Sequence, residues 1–209
     1  MLHLSNISDR SRVITFMHIL EERIQKDGVV KDGDILKVDS FLNHQMDIAL
    51  FCEIGREFHR RFGSDGVTKI VTVEASGIGI ACITAQYFQV PVVFAKKCRT
   101  ANLTGDVYTG RIYSFTHQCD TSIFIKKSYL SEKDRVLLID DFLANGSALE
   151  GLIGMIREAG AALAGAGIVI EKGFQKGGDK LRARGIRIES LAIIDRMEPG
   201  SVTFRRQQP

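Results

Sequence analysis

The sequence predicts an α/β protein whose sheet is mainly parallel, doubly wound and flanked by helices. Two observations carry that prediction. Short apolar runs, Ile70–Val73 and Val136–Ile139 among them, have the length and β-branched character of strands buried on both faces. Between such runs lie segments whose apolar residues recur at helical spacing, as in helices packed on a sheet.

Val13, Met17, Leu20 and Ile24 stand three or four residues apart, so an amphipathic helix is expected over Asp9–Gln25, with Gly28 as its stop. Short extended pieces follow at Val29–Val30 and Ile35–Val38, then a polar–aromatic loop over Asp39–Gln45. A second helix is expected over Asp47–Phe62, closed by Gly63. Ile70–Val73, Ile78–Phe88 and Pro91–Ala95 read as strand, helix and strand. Lys96–Asp106, rich in basic and small residues, reads as a loop, and Val107–Phe115 with Ser122–Ile125 as an antiparallel pair. The strand Val136–Ile139 precedes a helix at Ala148–Glu158 that ends at Gly160. A strand at Ile168–Ile170, a short helix at Asp179–Ala183 and a strand at Ile186–Leu191 complete the pattern.

With 209 residues, 44% of them hydrophobic, the chain can bury one compact core. Its 28 basic and 25 acidic residues are nearly balanced, which leaves no basic stripe for nucleic acid and no polybasic membrane anchor. The apolar runs are broken well short of a bilayer span, and no signal-peptide layout appears at Met1. A soluble cytoplasmic protein is expected. Cys52, Cys82, Cys98 and Cys119 are scattered with no C-x-x-C pair, so they read as reduced thiols rather than a zinc site or a disulfide framework.

The most informative chemistry lies in Val136–Ala148. An apolar strand stops at two adjacent carboxylates, Asp140 and Asp141. A small-residue loop, Ala144-Asn145-Gly146-Ser147, then opens into a helix near Ala148. Backbone N–H groups and the helix dipole there attract phosphate, and paired carboxylates at a strand end can accept hydrogen bonds from vicinal hydroxyls. An Asp pair can also be a cap or a metal ligand, and Asn-Gly is an ordinary turn. The complete ordered string is more specific than either piece. It resembles the phosphoribosyl-pyrophosphate (PRPP) motif of the type I phosphoribosyltransferases.

Residues after the other strands suit the same kind of ligand, because ligands of open α/β sheets gather at the strands' carboxyl ends. Glu74-Ala75-Ser76-Gly77-Ile78-Gly79 is a small-residue turn entering a helix. It could be a second anion loop or a turn for close helix–strand packing. A dinucleotide loop fits poorly: G-x-G-x-x-G fails at Cys82, and Lys96 and Lys97 stand where a ribose-binding acid belongs. Lys96, Lys97 and Arg99 either solvate the surface or face a polyanion beside a closing loop at 101–106. Phe174 could stack on a planar base or simply pack, and Lys172 could donate to a ring carbonyl.

Longer segments carry a closer resemblance: Leu36–Gln45, Pro91–Ala95, Tyr113–Thr116, Val136–Gly146 and Gly167–Lys172 are similar to the bacterial xanthine phosphoribosyltransferases. The resemblance runs from about Met17 to the C-terminus. It implies a type I phosphoribosyltransferase fold with a small N-terminal hood, mainly residues 29–46, a core at about 47–209 and a flexible β-arm loop. Residues 17–209 would form one domain, preceded by an extension at 1–16 whose role the resemblance does not explain. It further implies a homodimer transferring 5-phosphoribosyl from PRPP to N9 of xanthine, with Mg²⁺ brought by PRPP rather than held in a protein cage. Ala144, Asn145, Gly146, Ser147 and Ala148 would hold the 5′-phosphate, and Asp140 and Asp141 would face the ribose hydroxyls. Ser76, Gly77 and Lys97 would meet pyrophosphate, and Leu36, Asn43 and Lys172 would contact the purine.

The chain departs from the wider pattern at two places. Asn145 and Ala148 stand where many relatives carry threonines, and Ala144 stands where hypoxanthine–guanine enzymes place an aspartate. Ala144 cannot exchange a proton, which argues for an adenine- or xanthine-type site and leaves the base that deprotonates the purine unidentified. Asn43 and Lys172 weigh against adenine. The alternatives are a PRPP-binding regulator without turnover and a transferase for guanine or hypoxanthine. Such regulators generally append a DNA-binding domain; the extension before Met17 is too short for a winged helix, and no basic recognition helix is visible.

Overall fold

A computed structural model describes residues 18–31, 35–98, 105–114 and 119–207. The first described element, helix α1, covers 18–27. The expected helix began at Asp9, and its residues before 18, like the extension at 1–16, lie outside the described residues. Strands β1 (Val29–Lys31) and β2 (Ile35–Lys37) form an antiparallel hairpin. Asp39–Asn43, expected as a loop, is a π-helical turn that buries Phe41 and Leu42.

Helix α2 (Ile48–Phe62) starts where the Asp47 side chain accepts the N–H of Leu50 at 3.2 Å, an N-cap that satisfies a donor the helix itself cannot pair. Phe51, Ile54, Phe58 and Phe62, three or four residues apart, are fully buried along one face.

The main sheet has six strands in the order β10-β9-β8-β7-β3-β4. They are β3 (Lys69–Val73), β4 (Val92–Ala95), β7 (Arg135–Leu143), β8 (Ala162–Lys172), β9 (Ile188–Glu198) and β10 (Ser201–Phe204). All neighbours are parallel except β10, which returns antiparallel on β9. Helices α3 (Ser76–Phe88), α4 (Ser147–Glu158) and α5 (Gly177–Ala183) join these strands. Strands β5 (Val107–Ser114) and β6 (Cys119–Lys126) form a separate antiparallel arm, tied to the sheet by a bridge between Lys96 and Phe124.

Side-chain alternation explains the two layers of core. On β7, Leu137 and Ile139 join the α1–α2–α3 side with Phe51, Phe58 and Ile80. Val136 and Leu138 join the opposite side with Leu152, Met155, Ile156 of α4 and Ile123 of the arm. The arm approaches α4 at two glycines: a Cβ on Gly151 would stand 2.8 Å from the Arg111 carbonyl, and one on Gly110 would stand 2.8 Å from that of Gly151. Only the absence of both side chains permits that contact.

The sequence patterns under-read the strands' lengths. β7 continues through Leu143 rather than stopping at Ile139, so Asp140 and Asp141 lie within the strand. β8 spans eleven residues where three were expected, and β9 starts and ends later than Ile186–Leu191. Polar residues inside these strands interrupt the apolar run without interrupting the backbone ladder. β10 was not expected at all, being short and mixed in composition. Helix α3 starts at Ser76, two residues before the expected start, and α4 at Ser147, one before; both starts put small residues in the first turn.

Candidate functional site

From β3 the chain crosses through α3 to β4 on one side; from β7 it crosses through α4 to β8 on the other. The carboxyl ends of β3 and β7 therefore flank the topological switch point, where an open α/β sheet leaves a crevice. The first turns of α3 and α4 both rise from these strand ends, each carrying N–H groups without partners inside its helix.

Asp140 and Asp141 stand at the end of β7 and are only 4% and 6% exposed. The Asp141 N–H donates to Asp140 Oδ1 at 3.0 Å. Burial, and next to it the neighbouring charge of Asp141, push the Asp140 carboxyl well above the usual aspartate range, while Lys97 pulls it back. The pair is a buried negative site that a cationic or hydroxyl-rich ligand would relieve. Asn43, at the end of the π-helical turn, donates from Nδ2 to Asp141 Oδ2 at 3.4 Å.

On the β3 side, Gly77 is confined. A Cβ there would lie 2.1 Å from Thr72 Oγ1 and 3.0 Å from Asp140 Oδ1. Close packing, one of the readings open for this turn, is thus realised, and it brings the start of α3 against the acid pair. The Glu74 carboxylate accepts the Lys97 N–H at 2.6 Å, and the Glu74 N–H donates to the Ala95 carbonyl at 3.1 Å. These bonds hold the residues after β4 beside the turn after β3, so Ser76, Gly77 and Lys97 converge. Arg99 lies outside the described residues, as do residues 100–104 of the loop expected at 96–106.

The Ala144–Ala148 loop turns at Gly146, whose φ of 93° suits glycine. Asn145 Oδ1 accepts the Ser147 N–H at 2.9 Å, and Ser147 Oγ accepts the Tyr113 N–H at 2.6 Å. The arm is thereby pinned to the first residue of α4. Gly177 packs on the loop's other side, where a Cβ would lie 2.2 Å from the Ala144 carbonyl oxygen.

Lys172 is the last residue of β8, and its ammonium lies 5.7 Å from the centre of the Phe142 ring, next to the acid pair in sequence. Phe174 is partly buried against the core, the packing reading of that residue. Leu36 is 6% exposed, and its side chain joins Leu20 and Ile24 in the core. The structure thus brings Asp140, Asp141, Asn43, Gly77 and Lys97 together and sets the 144–148 loop and Lys172 along the same strand ends.

Sequence reasoning passed over Glu171. It is fully buried, bonded to Arg182 through Nη1 at 2.9 Å and Nη2 at 2.7 Å, and shares Oε2 with the Ser190 hydroxyl. The available signal was a carboxylate closing an apolar strand. Among the described residues, no three His, Cys, Asp or Glu side chains gather as a metal site, and no described helix is long and apolar enough to cross a membrane. Cys52, Cys82 and Cys98 are free thiols. A groove of about 470 Å³ runs beside β4, lined in part by Phe94, Lys96, Phe124 and Tyr129; of the residues singled out in the sequence, Lys96 lines it, while Asp140, Asp141 and Lys97 do not.

Residues 38–195 match the phosphoribosyl transferase domain family. A xanthine phosphoribosyltransferase of Lachnoclostridium phytofermentans is 59% identical over 191 residues, covering 90% of this chain and 98% of that protein. The corresponding protein of Bifidobacterium longum subsp. infantis is 57% identical over 192 residues, 90% of this chain and all of the relative. Among solved structures, adenine phosphoribosyltransferases of Giardia lamblia, bound to 9-deazaadenine, and of Rhodothermus marinus superpose with TM-scores of 0.70 and 0.69. They are 23% and 20% identical, covering 83% and 87% of this chain and 96% and 99% of theirs, a likeness of fold.

Proposed function

The chain belongs to the phosphoribosyltransferase family, in its xanthine phosphoribosyltransferase branch, and from that premise we propose that it salvages purine by transferring 5-phosphoribosyl from PRPP to N9 of xanthine. The products are xanthosine 5′-monophosphate (XMP) and pyrophosphate. The observation that carries this reading is the buried Asp140–Asp141 pair set between the starts of α3 and α4, with Lys97 beside it.

Each part of the crevice suits one part of the substrates. The Ala144–Ala148 loop takes the 5′-phosphate, which replaces the Asn145 side-chain Oδ1 as acceptor of the Ser147 N–H. Asp140 and Asp141 accept from the ribose hydroxyls. Ser76 and Gly77 offer N–H groups to pyrophosphate, and Lys97 neutralises it as it departs. The Lys172 ammonium and the Asn43 amide meet the polar edge of xanthine. Leu36, whose side chain is committed to the core, reaches the base only by its main chain.

The C1′–oxygen bond breaks with its electron pair leaving on pyrophosphate, and the ribose ring carries positive charge in the transition state. A buried carboxylate pair is costly in the free protein and less so beside that charge, so the site favours the transition state over the empty crevice. N9 of xanthine supplies the pair for the new bond, and its proton passes to solvent water. Xanthine is an unusually acidic purine, which lessens the need for a protein base, and Ala144 offers none. The two acids fit Mg²⁺ carried in by PRPP, which would be held mostly by substrate oxygens and would supply charge neutralisation. The working protein is a cytoplasmic homodimer, and the exposed Phe94 and Tyr129 beside β4 are suited to its contact.

Incubation with xanthine, PRPP and Mg²⁺ tests this. Equal amounts of XMP and pyrophosphate are expected, with none after chelation of the metal. PRPP binding with no XMP would place the chain among regulators instead.

A further inference from the structure

Glu171 is a buried charge that the transfer reaction does not use. Its carboxylate is fully enclosed, yet it receives two parallel bonds from Arg182 and one from Ser190, the fork geometry that makes a guanidinium–carboxylate pair directional. Such a group is expensive to bury, so what it touches identifies its purpose.

It touches two parts of the crevice. Along the chain it precedes Lys172, and across the sheet it lies opposite Leu143, the residue before the Ala144–Ala148 loop. Around it wraps the start of α5. A Cβ on Gly178 would lie 2.1 Å from Glu171 Oε1, and one on Gly177 would lie 2.2 Å from the Ala144 carbonyl oxygen and 2.6 Å from the Gly146 nitrogen. Two successive glycines therefore press one turn of backbone against the carboxylate on one side and the loop on the other. Arg182, near the far end of α5, closes the ring by returning to Glu171.

We propose that Glu171 is a positioning residue: clamped by Arg182 and Ser190, it holds the start of α5 between the Ala144–Ala148 loop and the strand end bearing Lys172, so seating of the phosphate and seating of the purine depend on one another. This rests on the assignment of the loop to phosphate and of Lys172 to the base.

Arg182→Lys and Ser190→Ala are the informative variants, because each leaves Glu171 in place and loosens its clamp; Glu171→Gln removes the buried countercharge of Arg182, leaving only Asp179 at 3.7 Å, and serves as the severe case. Melting temperature establishes folding, and calorimetry then measures affinity for ribose 5-phosphate, which reaches the loop and the acid pair but not the base site, and for XMP, which reaches all three. In folded Arg182→Lys, ribose 5-phosphate binding weakens about five- to tenfold and XMP binding by a larger factor, the scale of one weakened charge-assisted bond. Lys172→Ala, in contrast, leaves ribose 5-phosphate binding unchanged and weakens XMP. Lower melting temperatures with both affinities unchanged in Arg182→Lys and Ser190→Ala would overturn the positioning role. Unchanged XMP affinity in Lys172→Ala would overturn the base assignment instead, so the two failures are distinguishable.

Discussion

Asn43 and Asp141, 98 positions apart in the chain, are joined by a hydrogen bond from Nδ2 to Oδ2 at 3.4 Å. The bond ties the turn ahead of α2 to the acids of β7, so the proposed base side and ribose side of the crevice share a wall. An amide suits that place because it can donate to Asp141 and still offer its carbonyl or second N–H to a ligand.

Replacing that amide separates shape from charge. Asn43→Ala removes the bond and is expected to raise the KM for xanthine about tenfold, the loss of one hydrogen bond to a charged group. Asn43→Asp keeps the shape and adds a third carboxylate beside a buried pair, so it should cost more than the alanine variant in kcat/KM. Steady-state kinetics of both variants measure the difference; an aspartate variant more active than the alanine one would contradict the charge argument.

Asp140 ties activity to instability. Its carboxyl is raised by burial and by Asp141, so between the usual aspartate range and its raised value the native protein binds more protons than the unfolded chain. Stability from this group is present at low pH and is lost as pH rises through that window. Asp140→Asn removes the cost. The ligand-free variant is expected to be more stable than the parent at pH 7 by about 1–2 kcal/mol, as when a functional strain is relieved. Denaturant titrations should show that advantage shrinking toward pH 4, while turnover falls at least about 100-fold.

The pH dependence of the rate is expected to follow the substrate. If the N9 proton leaves without a protein base, kcat/KM for xanthine falls as pH drops through xanthine's own ionisation, and replacement of Asp140 does not move that midpoint. A flat profile through that range would contradict substrate-supplied acidity.

Most of the central architecture was legible because its signals are local. Four consecutive apolar residues at Val136–Ile139 announce a buried strand, and Phe51, Ile54, Phe58 and Phe62 announce one face of a helix. The string from Asp140 to Ala148 announced paired acids followed by a small-residue loop into a helix, and the strand end, loop and helix start lie in that order beside the switch point. Strand ends were less legible, since Asp140, Asp141 and Glu171 look like terminators in sequence and are strand residues in space. The π-helical turn at Asp39–Asn43 had no local signature. The contacts of Asn43 with Asp141, Lys172 with Phe142, and Glu171 with Arg182 join residues from different elements, so no spacing rule could have shown them.

The most direct test of xanthine transfer offers xanthine, guanine, hypoxanthine and adenine together, with PRPP and Mg²⁺, and measures each nucleotide formed. XMP is expected to form well ahead of the other three, because the half-buried donors at Asn43 and Lys172 are left mismatched by adenine's amino group and by purines with fewer carbonyls. Equal or faster formation of the guanine or hypoxanthine nucleotide would contradict the account.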